Sequence, residues 1–135
     1  MGTGVGVSVP GIGPGWARLA QAIAAVVPPA DVDAVWVFSP LRRDGCEWGT
    51  AVLARVDGDR RRIYTARYML VIKGKERGKF DASVVEVGSG PVEALDRLVQ
   101  EAHRRIDDEQ PPLAVSVETC FASVSSAVPA DGSSR

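Results

Sequence analysis

Residues 44–58 read DGCEWGTAVLARVDG. The two Asp-Gly pairs, Asp44-Gly45 and Asp57-Gly58, supply the positive φ angles that two-residue hairpin turns require. β-branched and aromatic residues flank both pairs, so the stretch predicts a strand entered and left through hairpins. Working outward, Asp33 to Arg43 reads as the strand before it and Asp59 to Lys73 as the strand after it. Lys79 to Val87 reads as a fourth strand, reached through a looser turn containing Gly74 and Gly78. The expectation is a four-stranded antiparallel meander.

Helical spacing appears on both sides of the meander. Trp16, Leu19, Ala20, Ile23 and Val27 recur at intervals of three and four after the Gly13-Pro14-Gly15 breaker, and Pro28-Pro29 stops the run. Beyond Gly90-Pro91, Val92, Leu95, Val99, Ala102 and Ile106 form a second apolar stripe, with Glu93, Asp96, Arg97, Gln100, Glu101, Arg104 and Arg105 on the outer face. Asp107-Asp108-Glu109 places acids where a helix dipole prefers cations, which predicts fraying. Leu113, Val115, Val117, Thr119 and Phe121 alternate and predict an extra terminal strand. The fold class is therefore α+β: an N-terminal helix, the meander, a long C-terminal amphipathic helix and a terminal strand. A single domain over 16–122 is expected, between a flexible Gly-rich leader (1–15) and a small, polar, disordered tail (123–135).

Two-residue turns fix a register. They set Arg42 opposite Glu47, Val37 opposite Val52, Val52 opposite Ile63, and Arg55 opposite Arg60, the last a like-charge pair. A change of parity after Val84 predicts a bulge near Glu86. One face then gathers Val35, Val37, Trp48, Val52, Ile63, Met69 and Val71, and the other Trp36, Phe38, Leu53, Tyr64, Tyr68, Leu70 and Ile72. A sheet with one wet face alternates apolar and polar, so two apolar faces must both be covered. In small α+β domains both helices more often pack on one side, which leaves the other face to a partner. The expectation is a homodimer, with the first of these faces as the oligomer or partner surface.

Composition bounds the function. The chain has 135 residues, 45% hydrophobic and 24% charged, which describes one globular domain able to bury its own core. Cys46 and Cys120 form no CxxC pair, the first seventeen residues carry no Lys or Arg, and the apolar run Ala20 to Val27 is too short to span a bilayer. These features predict a cytoplasmic protein outside the membrane. A lone histidine, His103, excludes multi-histidine metal sites, and no catalytic, metal or cofactor site is expected. A Cys46–His103 thiolate dyad would require the second helix to reach the Asp44-Gly45 hairpin, and nothing in the spacing brings them together. The leader glycines lack the Gly-Lys-Ser/Thr ending or GxGxxG setting of phosphate loops. Enzymatic activity is the least supported class.

Charge is uneven: Arg55 to Lys79 holds nine basic and three acidic residues, net +6, against −7 for the remainder. Arg60, Arg61, Arg62, Arg67, Lys73, Lys75, Arg77 and Lys79 form a basic ribbon suited to nucleic-acid phosphates, with Tyr64 or Tyr68 as stacking platforms if exposed. The favoured reading is a non-catalytic protein-binding, adaptor or chaperone-like homodimer. Single-stranded nucleic-acid binding through residues 60–79 is the alternative, and a small-ligand pocket between sheet and second helix is the next.

Overall fold

The computed structural model describes residues 15–106, 113–122 and 124. Apart from Gly15 and Val124, the expected leader, the frayed helix end and the tail lie outside the described residues. The elements are α1 (Trp16–Val26), β1 (Val32–Val37), β2 (Leu41–Arg43), β3 (Cys46–Asp57), β4 (Arg60–Val71), β5 (Phe80–Pro91), α2 (Leu95–Ile106), β6 (Leu113–Val115) and α3 (Val117–Cys120). The six strands form one antiparallel sheet of order β5-β4-β3-β1-β6, with β2 also paired to β3. The fold is α+β.

The two short turns follow their local chemistry. Asp44 (φ 56°) and Gly45 (φ 77°) both take positive φ, as a type I′ turn demands, and Arg42 pairs with Glu47 as expected. At the second turn the loop residues are Gly58 and Asp59, one place later than expected, with Asp57 still paired to Arg60. Gly58 carries the positive φ (62°), the glycine-first composition of a type II′ turn. The pairing therefore moves by two residues, so Val52 faces Thr65 and Arg55 faces Arg62. This like-charge pair is tolerated because each guanidinium turns to other partners: Arg55 to Asp31 and Tyr64, Arg62 to Asp57 and Glu86.

A larger correction concerns β1. The strand expected over Asp33 to Arg43 breaks at Phe38-Ser39-Pro40, where Pro40 has no N–H for a ladder. The break changes the pairing phase by one residue. Val37 faces Ala51 and Trp36 faces Val52, whereas Arg42 keeps Glu47. A one-residue slip moves a strand's side chains to the opposite face. Val35 and Val37 consequently pack with Leu53 and Tyr64, while Val52 and Ile63 pack with Phe38 on the other side. The seven residues expected to share one face are divided between two.

The helices are divided as well, against the expectation that both share one side. α1 lies over β4 and β5, and α3 lies over β1, burying Trp16, Leu19, Ile23, Cys120 and Phe121 in the first core. α2 lies over β5, β4 and β3 on the opposite face, burying Leu98, Val99 and Ala102 against Phe38, Val52, Ala54 and Ile63. Complete burial of a side chain such as Leu19 or Ile23 contributes about 1.5–3 kcal/mol.

The long C-terminal amphipathic helix is not seen; α2 has 12 residues. β5 takes residues as far as Pro91, opposite Arg60, and a 3₁₀ turn over Val92–Ala94 precedes the helix. Proline is tolerated there because it ends an edge strand. The bulge expected near Glu86 is present: Tyr64 pairs with Glu86 and Ile63 with Gly88, leaving Val87 as the extra residue. The terminal strand is only Leu113–Val115. Ser116 Oγ then accepts from Thr119 N at 3.1 Å and caps the short helix α3 in place of further strand.

One aromatic ring controls how α1 seats on the sheet. A Cβ added to Gly49 would lie 2.1 Å from Tyr68 Cε2, and one added to Gly15 would lie 2.3 Å from Cε1. The ring is clamped between two bare backbones, with Phe80 stacked at 5.7 Å and the Arg18 guanidinium 4.3 Å above the Phe80 ring. Gly49→Ala should therefore lower unfolding stability by about 1–3 kcal/mol in urea melts, through overpacking. An unchanged midpoint would contradict the clamp.

Candidate interaction surfaces

The residues expected to form one basic ribbon occupy two ends of the sheet. Arg60, Arg61 and Arg62 open β4, Arg67 lies within it, and Lys73, Lys75, Arg77 and Lys79 follow its far end. At about 3.3 Å per residue, β4 separates the two groups by roughly 40 Å. Their electrostatic states differ. Arg61 Nε donates to Asp33 Oδ2 at 2.8 Å, and Arg62 lies 3.7 Å from Asp57 and 3.8 Å from Glu86. Among the described residues, Arg43, Lys73, Lys75, Arg77 and Lys79 make no ion pair, and all five are exposed. Tyr64 and Tyr68 are each only 4% exposed and belong to the core beneath α1, so their ring faces are occupied.

Glu47 is the one charged residue fully buried among the described residues. Its Oε1 accepts from Arg42 Nε at 2.8 Å, while its Oε2 accepts from Tyr68 Oη at 2.5 Å and from Gly15 N at 3.3 Å. A buried carboxylate holding three donors is compensated. The contacts join β2, β3, β4 and the start of α1, which makes Glu47 an anchor for the helix rather than a group open to substrate.

The Cys46–His103 juxtaposition is not built by the sheet. Cys46 pairs with Arg43 and Val71 at one end of β3, whereas the His103 ring lies against Phe38 in a tilted contact, centroids 4.9 Å apart. Phe38 N donates to Thr50 O, four residues further along β3, or about 13 Å of strand from Cys46. Among the described residues, no group of three or more His, Cys, Asp or Glu could hold a metal ion, and no helix is long and apolar enough to cross a membrane. A 640 Å³ cleft lies between Pro29–Asp33 and Ser116–Phe121, away from the expected location between sheet and α2.

A more informative surface lies beside α2. Twelve helical residues span about 18 Å, less than half the length of the long strands. α2 therefore covers only the Val52–Ala54–Ile63 half of its face. On the other half Leu41 pairs with Trp48, Trp48 with Met69, and Cys46 with Val71. Leu41 is 53% and Trp48 37% exposed, and Met69 and Val71 are half-buried. Arg67 and Asp81 flank this group around a shallow depression of 170 Å³. Trp48, Met69 and Val71 belong to the partner face expected from the sequence. Leu41 was missed, although the Asp44-Gly45 register already places it opposite Trp48.

Comparison of the chain with protein-family models, curated proteins and solved structures returns no match.

Two consequences concern buried titratable groups. Burial, and then the hydrogen bond to Glu47, raise the Tyr68 phenol well above its ordinary 10.0. Above that pH the unfolded chain releases its tyrosine proton first. The contribution is intact below pH 10 and declines as pH rises toward the folded-state value. Relative to Tyr68→Phe, the wild type should lose about 1.4 kcal/mol per pH unit above about pH 10 in denaturant titrations. At neutral pH Tyr68→Phe should cost about 1–3 kcal/mol, because Glu47 loses a donor. Burial also pushes the Cys120 thiol up to about 11, while Cys46 is half-buried. A thiol reagent at about pH 8 should modify native Cys46 first and reach Cys120 only on unfolding.

Proposed function

We propose that this chain is a non-catalytic protein-binding module of the adaptor or chaperone-like kind, and that it pairs with a second copy of itself through the surface around Trp48. The observation that carries the reading is the apolar group Leu41, Trp48, Met69 and Val71, left outside α2 because the helix is shorter than the strands. Aromatic and methionine side chains are enriched at interface centres. The charges beside the group are self-complementary: Arg67 and Asp81 lie on neighbouring strands in diagonal register, on the same face. A twofold axis lying between them in the contact plane sets each against its counterpart on the second copy. The seam is smaller than the whole face expected from sequence, since Val52 and Ile63 are already covered by α2.

The solution mass tests this directly. Light scattering in high salt should give twice the 14.3 kDa chain mass. Trp48→Ala should raise the dimer dissociation constant about 30-fold, the effect of an interface anchor worth about 2 kcal/mol. Met69→Lys should give monomers with an unchanged circular dichroism spectrum. A wild-type monomer at all concentrations would sink the self-association reading.

A further inference from the structure

The tertiary structure creates a second surface, distinct from the Trp48 seam. The β2–β3 and β4–β5 turns meet at the same end of the sheet: Cys46 pairs with Val71, and Ile72 N donates to Gly45 O at 2.8 Å. This contact brings Arg43 beside the turn that carries Lys73, Lys75, Arg77 and Lys79. Residues 73–79 contain four basic residues and one acid, Glu76, and Arg43 is followed by Asp44, so the two turns together carry five cations and two acids. The opposite end of the same strands is also rich in arginine, but there Asp31, Asp33, Asp57 and Glu86 pair with Arg55, Arg61 and Arg62. Among the described residues only Arg60 is left without an ion pair at that end, so the larger group of unpaired cations lies at the hairpin-tip pole. Gly74 (φ 90°) and Gly78 (φ 97°) shape the turn, and a Cβ at either would meet nothing within 4 Å. The Cα side of both glycines is open, while Gly78 N donates to Val71 O and Gly78 O accepts from the Arg18 guanidinium at 2.9 Å.

We propose that this pole, formed by Arg43, Lys73, Lys75, Arg77 and Lys79, binds the phosphate backbone of nucleic acid without reading its sequence. Flexible cations on two neighbouring turns form a track for successive phosphates, and backbone contacts of this kind carry no base information. Residues 73–79 hold no apolar side chain that would enter a bilayer, which favours a nucleic acid over a membrane surface. The core positions of Tyr64 and Tyr68 remove base stacking from the site.

The test uses the full chain and a mixed-sequence, fluorescein-labelled single-stranded DNA oligonucleotide, followed by anisotropy. Affinity should fall roughly 100-fold between about 50 and 200 mM salt, from about 0.7 in log–log slope for each of the engaged cations. The variant K73Q/K75Q/R77Q/K79Q, altered only on exposed positions, should lose most of this binding and most of the salt slope. R61Q/R62Q, whose charges are already paired, should stay within about threefold of the wild type. Circular dichroism confirms folding of each variant, and R62Q alone serves as the control if loss of the Arg61–Asp33 pair disturbs the fold. No binding in low salt, equal binding by the quadruple variant, or capture by anionic phosphatidylserine vesicles in place of the oligonucleotide would each overturn the proposal. The mass measurement on the Trp48 variants is made in high salt without oligonucleotide, so the two readings fail independently.

Discussion

The middle of β3, Ala51 to Ala54, is hydrogen-bonded along both edges and buried on both faces, and the rest of the molecule is arranged to satisfy that condition. Ala51, Val52, Leu53 and Ala54 are all sequestered from solvent, with alternate side chains pointing to opposite cores. A strand of this kind needs cover above and below. The chain supplies it from both directions: α1, before the sheet, takes one face with help from α3, and α2, after the sheet, takes the other. Small residues at Ala51 and Ala54 and the bare backbone at Gly49 allow the covering layers to approach closely.

The two covers differ in reach, and that difference produces the exposed surface. On the α1 side, Tyr68, Phe80 and Arg18 extend the cover toward the hairpin tips, and the Glu47 contacts hold the start of the helix in place. On the α2 side no equivalent aromatic extension exists among the described residues, so Leu41 and Trp48 face solvent. The uncovered region is therefore a consequence of helix length against strand length. Charge follows the same polarity: carboxylates on β1, β3, β5 and an adjoining turn meet Arg55, Arg61 and Arg62 at one pole, while the cations of the hairpin tips at the other make no ion pairs among the described residues.

Much of this was legible locally. The antiparallel hairpins, the Arg42–Glu47 pair, the irregularity beside Glu86 and the first helix all follow from turn residues and periodicity within a few positions. Trp48, Met69 and Val71 could be placed on one face because β3 and β4 share a hairpin, and a two-residue change in register preserves the side each residue faces. Val35 and Val37 could not, because the intervening Ser39-Pro40 break shifts the phase by one residue and reverses the side. Likewise, alternation over Leu113 to Phe121 suits a strand, but the Ser116 cap and burial of Cys120 and Phe121 beside Trp16 favour a helical turn.

The amino-acid sequence by itself determined that this chain forms hairpins with two apolar faces, a helix on either side of them in sequence, and a segment of excess positive charge. Those properties depend on backbone preferences and on spacing along the chain. Only the tertiary structure decided which helix covers which face, that Glu47 is buried as a tie between α1 and the sheet, and that Arg55, Arg61 and Arg62 of the basic segment meet carboxylates while the cations of residues 73–79 stay exposed without ion pairs. Each of those outcomes depends on groups far apart in sequence. Asp33 reaches Arg61 and Gly15 reaches Glu47 only after the strands are in register, and no local pattern encodes such distances.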